Sequence, residues 1–258
     1  MNTARREKGS SITRVLEIIE AIAQARQPIS ATELSLQLDI PKASAHRLVQ
    51  TLEQEGFLQT GLRGGLLPGE RLHRTALGLL HASRHKAERQ AILRELSATI
   101  GETCGISLPD GLEMLYFDRV QTNWSLQINL PVGTHTPLWC TASGRLYLAS
   151  LAPAQLERLL PRLQIKRMAR NTLADLADLH EEIERVRASG VGTDGEEFID
   201  GMVACAVPLR GPQGELIACL FIHAPVIRRS LEDLTAFVPQ LREAAAALEA
   251  LIGAPTEI

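Results

Sequence analysis

The chain has 258 residues, a length that fits two domains of about 80 and about 170 residues, each able to hold a core. With 45% hydrophobic and 22% charged residues it has the composition of soluble globular protein. No apolar run approaches the ~20 residues of a membrane span, and the polar start MNTARREKGSS lacks the core of a secretory signal. A cytoplasmic protein with no membrane partner is expected. The net charge of −3 conceals an asymmetry: residues 1–90 carry 13 basic against 9 acidic side chains (+4), and residues 91–258 carry 14 against 21 (−7). A basic head on an acidic body suits phosphate binding by one domain only.

In chain order, Ile12, Val15, Leu16, Ile19, Ile22 and Ala23 mark the apolar stripe of a first helix. Pro28 breaks it. Ser30 with Glu33 forms an S-x-x-E capping box that starts a second helix with Ala31, Leu34 and Leu38 facing inward. Asp39-Ile40 ends that helix, and Pro41 suits the first turn of a third, whose inward residues are Ala45, Leu48, Val49 and Leu52.

At about 100° per residue, the side opposite those four carries Ala43, His46, Arg47 and Gln50, flanked by Lys42, Ser44 and Thr51. Arg and Gln reach guanine and adenine edges bidentately, Lys, Ser and Thr hydrogen-bond phosphates, and a small Ala permits close approach. The face has no acid before Glu53, whereas an ordinary solvated face mixes both signs. Two short helices joined by a polar turn, the second with such a face, predict a helix-turn-helix. Residues 57–60, a glycine-rich turn over 61–65 and residues 66–68 read as a strand pair, the wing, with Arg63 at its tip for the minor groove or a phosphate.

Helical spacing returns through Leu72, Ala76, Leu79 and Leu80 and again through Leu93, Leu96 and Ile100. Beyond Gly101, strands are expected at 104–108, 114–120, 125–130, 202–209 and 216–223, with helices at 141–151, 153–160, 173–188 and 230–251. Gly211-Pro212-Gln213-Gly214 reads as the turn joining the last two strands. The expected fold class is α+β, an N-terminal winged helix-turn-helix joined by a helical linker to a domain built on an antiparallel sheet. The expected domains are 1–70 for DNA binding, 71–88 for the linker helix and 89–258 for the sensor.

Catalytic motifs are missing from the second half: no G-x-S-x-G, H-E-x-x-H or P-loop occurs, and its three histidines are scattered. No cofactor is expected. Cys104, Cys140, Cys205 and Cys219 are too widely spaced for a metal cluster and read as buried free thiols. Asp194 with Glu196 and Glu197 could form an acid-base or metal site, but such a cluster on a turn more often caps backbone.

Three ordered blocks carry a resemblance: PKASAHRLVQTLEQEGFL, PVGTHTPLWCTASGRLYLASL and GVGTDGEEFIDGMVACAVPLRGPQGELIACLFIHAP. Over nearly its whole length the chain resembles an IclR-type transcriptional regulator. The resemblance implies a winged-helix reader on a GAF-like effector-binding domain, working as a homodimer or homotetramer on double-stranded DNA with pseudo-palindromic operators and answering to a small-molecule effector. Dimerisation through helix one and the linker helix is part of that implication. The resemblance places the effector pocket at Ala142, Ser143, Asp194, Ala204, Phe221 and His223, with Leu126 and Ile128 as apolar walls.

The chain departs from the family where many relatives hold a pocket cysteine: Ala204 stands there, and strand alternation sends Cys205 to the opposite face. Phe221 and His223 replace small hydroxylic residues, which favours an aromatic acid over a two- or three-carbon acid. A competing reading is a thiol-dependent enzyme with a GAF-like pocket fused to a DNA-binding module, in which Cys140 or Cys205 would be essential. A third, a purely structural dimerisation module, leaves the polar recognition face without a purpose.

Overall fold

The computed structural model describes residues 10–25, 27–61, 64–81 and 85–253, apart from the side chains of 77–81 and 252–253. Chain contacts divide it into two compact units, Met1–Ala82 and Ser83–Ile258. Arg63 lies outside the described residues.

The first unit holds α1 (Ser11–Gln24), α2 (Ala31–Gln37), α3 (Lys42–Gln54), the strands β1 (Leu58–Thr60) and β2 (Leu66–Pro68), and α4 (Glu70–His81). The capping box forms as the sequence predicts. Ser30 Oγ accepts from the Glu33 N–H at 3.2 Å, and Glu33 Oε2 accepts from the Ser30 N–H at 2.7 Å. Asp39 takes a left-handed φ of 51° in the α2–α3 turn, a conformation that Asp tolerates better than most residues. Pro41 stands just outside α3, as its N-cap.

The core of this unit joins Ile18, Ala21 and Ile22 of α1, Leu34 of α2, and Ala45, Val49 and Leu52 of α3 to Leu58 and Leu66 of the wing. This corrects the stripe expected for α1. That helix is apolar on more than one side, and the buried side centres on Ile18, while Ile12 and Leu16 stay 71% and 54% exposed.

In the second unit, α5 (Lys86–Ile100) precedes β3 (Thr103–Asp110), β4 (Glu113–Val120), β5 (His135–Pro137), α6 (Ala142–Ser150) and α7 (Pro153–Leu159). Then come α8 (Leu176–Ser189), β6 (Gly192–Gly195), β7 (Met202–Arg210), β8 (Leu216–Pro225), α9 (Leu231–Thr235) and α10 (Val238–Gly253). Six strands form one antiparallel sheet in the order β5-β4-β3-β8-β7-β6. Helix α6 covers one face and α8 packs on α6 through Leu179, Ile183 and Val186 against Leu146 and Ala149; α5 and α10 pack on the other.

The strand expected over 125–130 does not form. Those residues belong to an irregular excursion between β4 and β5, and an alternating apolar pattern without a neighbouring edge to pair with stays irregular. Strands β5 and β6, three and four residues long, went unread because Gly192-Thr193-Asp194-Gly195 carries no apolar alternation. Helix α8 starts at Leu176, capped by Asp175, rather than at Leu173.

The sheet and its cover approach closely where β6 passes under α6. A Cβ built on Gly192 would lie 2.0 Å from the Ala142 carbonyl oxygen. Gly192→Ala should therefore destabilise the second unit by about 1–3 kcal/mol. Urea unfolding should show a lower midpoint at unchanged slope, and an unchanged midpoint would refute the close approach.

Candidate functional site

The first site is the outer face of α3. With Ala45, Val49 and Leu52 buried, helical geometry turns Lys42, Ala43, His46, Arg47, Gln50 and Thr51 outward, and all six are exposed while Ser44 is half-buried. The Thr51 hydroxyl donates to the Arg47 carbonyl at 3.0 Å, leaving its lone pairs outward. Glu53, the first acid on the helix, accepts a hydrogen bond from the Thr60 hydroxyl on β1. The acid is thus drawn to the wing and away from the basic face. Arg71 on α4 pairs with Glu55 at 2.7 Å and lies 4.5 Å over the Phe57 ring, fixing the wing base against α4.

The second site lies on the α6 face of the sheet. Residues paired across neighbouring strands share a face, so the pairings Asp194↔Ala204, Ala204↔His223 and Ala206↔Phe221 gather Asp194, Ala204, Phe221 and His223 under α6. A cavity of about 10 Å³ is lined by Tyr116, Thr136, Thr141, Ala142, Ser143, Asp194, Phe198, Met202, Ala204 and Phe221. That is room for about one water. The Phe221 ring fills the rest, stacked on Tyr116 at 4.4 Å and on His223 at 5.9 Å.

Of the effector residues expected from sequence, Ala142, Ser143, Asp194, Ala204 and Phe221 line this cavity, and His223 sits behind Phe221. Leu126 and Ile128 are not among its lining residues. With no strand to carry them they stay in the β4–β5 excursion, where Leu126 is 59% exposed. The expectation of an aromatic acid took Phe221 as a pocket wall; its ring lines the cavity, stacked on Tyr116.

Donors converge from α6. Thr141 caps the helix, its Oγ1 accepting from the Gly144 N–H at 3.1 Å, so the preceding N–H groups of Ala142 and Ser143 have no partner within the helix. Opposite them, Asp194 Oδ1 accepts from the N–H groups of Glu197 at 2.8 Å and Phe198 at 3.3 Å, and the buried Oδ2 has no partner. Burial pushes the Asp194 carboxyl up to about 7 despite those two N–H groups. Glu197 turns away to bind Arg145, and Glu196 Oε2 accepts from the Gly201 N–H at 2.9 Å. The acidic cluster is a set of backbone caps and two ion pairs, Glu197 with Arg145 and Glu196 with Arg170 at 3.4 Å.

All four cysteines are free and buried. Burial pushes Cys104 and Cys205 up to about 12 and raises Cys140 and Cys219 further, so none offers a thiolate at neutral pH. That removes the chemistry which the thiol-enzyme reading requires.

Sequence reading missed two residues on this face: Tyr116, which lines the cavity, and Arg119, which shares the face without being among its lining residues. Arg119 on β4 faces Gly105 on β3, which in turn faces Phe221. Tyr116 and Arg119 are three apart and would alternate to opposite faces, but the register shifts between Ile106 and Ser107, and the bulge leaves Phe117 unopposed. Both side chains therefore reach the α6 face, and no motif in the sequence announces the bulge.

Two family models together span most of the chain: the IclR helix-turn-helix domain over residues 11–61, and the bacterial transcriptional regulator IclR C-terminal domain over 72–250. The chain is 32% identical over 237 residues to the probable transcriptional regulator SauR of Cupriavidus necator, covering 92% of this chain and 94% of that one. It is 29% identical over 238 residues to the transcriptional repressor IclR of Escherichia coli, covering 91% and 87%. Among solved structures, an IclR homolog from Microbacterium hydrocarbonoxydans complexed with 4-hydroxybenzoate superposes with a TM-score of 0.58 at 24% identity, covering 93% of this chain and 98% of that one. A reader helix with a basic outer face, a sheet with a polar cavity under α6, and two ordered family domains converge: the chain belongs to the IclR family of transcriptional regulators, DNA-binding proteins rather than enzymes.

Proposed function

We infer that the outer face of α3 reads a pseudo-palindromic operator in the major groove, and that an organic acid binding under α6 biases the arrangement of a dimer or tetramer and so operator affinity. The observation that carries this reading is the exposure of Arg47 and Gln50 beside Lys42, His46 and Thr51 on a face without acids. Arg63, Lys42 and Ser44 serve as phosphate partners in this reading, and Ala43 allows close approach to the groove.

Arg47→Ala should weaken operator binding by about 5- to 150-fold and relax preference at one base pair, whereas Lys42→Ala should weaken all sequences alike and flatten the salt dependence. Fluorescence anisotropy on operator and scrambled duplexes at several salt concentrations reads both. Equal losses on both duplexes for Arg47→Ala would assign it to the phosphates instead.

Exposed Ile12 and Leu16, one turn apart on α1, support a self-association face. Replacing both with Glu should lower the assembly state in sedimentation and reduce operator affinity with it. An unchanged assembly would place the interface elsewhere.

For the effector, the Ala142 and Ser143 N–H groups and the Asp194 carboxyl are the polar partners, which suits an acid or its carbonyl oxygen. The solved relative with 4-hydroxybenzoate supports an aromatic member of that class. A ring-bearing acid must first move Phe221 from its place between Tyr116 and His223; pyruvate or glyoxylate asks less of it. Calorimetric titration with both kinds separates them, heat from 4-hydroxybenzoate favouring the aromatic class and heat from pyruvate alone excluding it.

The pH dependence has a definite sign. Asp194 loses its proton only as pH rises through about 7, so below that it donates from Oδ2 to a ligand oxygen and above it repels an anion. Acid affinity should fall between pH 6 and pH 8, and Asp194→Asn, which donates at every pH, should remove that fall. A wild-type affinity constant over that range would separate Asp194 from the ligand.

A further inference from the structure

We propose that Arg119 is the anion-binding residue of the effector pocket, offering Nε and Nη2 as a side-on fork to the carboxylate of an organic acid. The proposal rests on the effector reading above and adds which residue holds the acid group and in what geometry.

Arg119 is anchored and half-satisfied. Its Nη1 donates to the Leu130 carbonyl and, at 3.5 Å, to Asn129 Oδ1, which holds the guanidinium against the β4–β5 excursion. Its Nε and Nη2 are buried with no hydrogen-bond partner. Arg119 is half-buried, and two shielded donors left unused on a cation are costly unless something completes them. These two atoms are not a random pair: they share one edge of the guanidinium, where two parallel N–H bonds match the spacing of two carboxylate oxygens. Arginines held only for structure usually have that edge occupied by protein.

The surroundings point to the same pole. His223 is 2% exposed, and both ring nitrogens are buried without partners. Burial, with Arg119 beside it, pushes His223 down to about 3, so the ring is neutral and offers one donor and one acceptor without adding charge. Ser107, paired with Tyr116 across the bulge, contributes another buried hydroxyl without a partner. Gly105 clears the floor between them. A Cβ there would lie 2.5 Å from the Asp118 carbonyl oxygen, 2.7 Å from Phe221 Cζ and 3.1 Å from Arg119 Cβ, so only glycine fits between the β4 backbone and the Phe221 ring.

One fixed positive charge, a neutral imidazole and a hydroxyl suit a monoanionic carboxylate with an apolar body over the aromatic pair. The far end of the acid then meets Asp194 and the first turn of α6. A phosphate has more charge and more acceptor oxygens than this set of donors matches.

The test uses the full chain with benzoate, 4-hydroxybenzoate, pyruvate and succinate as probes, and benzamide and inorganic phosphate as controls, read by thermal shift and calorimetry. At least one acid should stabilise the wild type, and benzamide should not. Arg119→Lys keeps a cation but loses the fork; its ligand-free melting should stay within about 2 °C of wild type while acid affinity falls about 10- to 100-fold. Arg119→Gln should behave alike, and both should bind operator normally without ligand. In the wild type, the Arg119 Nε–H resonance should move downfield on adding the stabilising acid, a readout that needs no variant. Acid affinity unchanged in both variants, or an Nε–H that does not respond, overturns the assignment and leaves the effector reading standing. Stabilisation by phosphate alone overturns the carboxylate class. No stabilisation by any probe overturns this proposal and the effector reading together.

Discussion

The second unit depends on one buried ion pair. Arg145 of α6 is 1% exposed and grips Glu197 with both terminal nitrogens, Nη1 to Oε1 at 2.6 Å and Nη2 to Oε2. Its Nη1 also donates to the Thr193 carbonyl at 3.1 Å and its Nε to the Trp139 carbonyl at 3.2 Å. One side chain thus fastens α6 to β6 and to the turn before β7. Removing Arg145 would cost about 3–5 kcal/mol, because the Glu197 carboxylate would be left buried without its partner. Functionally the pair fixes the distance between the first turn of α6 and Asp194, the two sides of the cavity. Glu197 takes part twice, its side chain on Arg145 and its N–H on Asp194 Oδ1.

The two units solve different recognition problems with the same economy. In the reader, three buried residues of α3 decide by helical period alone which side chains face outward, and the single acid that would spoil that face is drawn to the wing by Thr60. In the sensor, cross-strand pairing decides which residues meet, so Asp194, Ala204 and His223 form one row although β6 and β8 lie far apart in sequence. Helix period is local and strand pairing is not, and that difference governs how much can be read in advance.

The reader was legible because its signals are local. The Ser30–Glu33 box and the spacing of Ala45, Val49 and Leu52 appear in the structure as the residues imply, and Pro41 falls one place outside α3 as its N-cap. The stripe of α1 misled because that helix has two apolar sides and nothing local tells which one the domain covers. In the sensor the long strands β3, β4, β7 and β8 were readable from their apolar runs. Residues 125–130 were not, since a strand needs a partner edge that no alternation can supply. Arg119 was invisible for a related reason: its face depends on a bulge opposite Ile106 and Ser107, and parity along β4 argues for the other side. Only the family resemblance, not the residues, pointed to Asp194 as part of a pocket, and its lone unpartnered oxygen gives that placement a physical basis.

The ring of Phe221 between Tyr116 and His223 has a consequence for dosage. A ligand that must wait for the ring to leave binds with its intrinsic dissociation constant divided by the fraction of molecules in which the ring has left; if that is about one in a hundred, binding is about a hundredfold weaker. The promoter would then ignore trace metabolite and respond only once the pool has built up, with the threshold set by how firmly two aromatic neighbours hold one side chain.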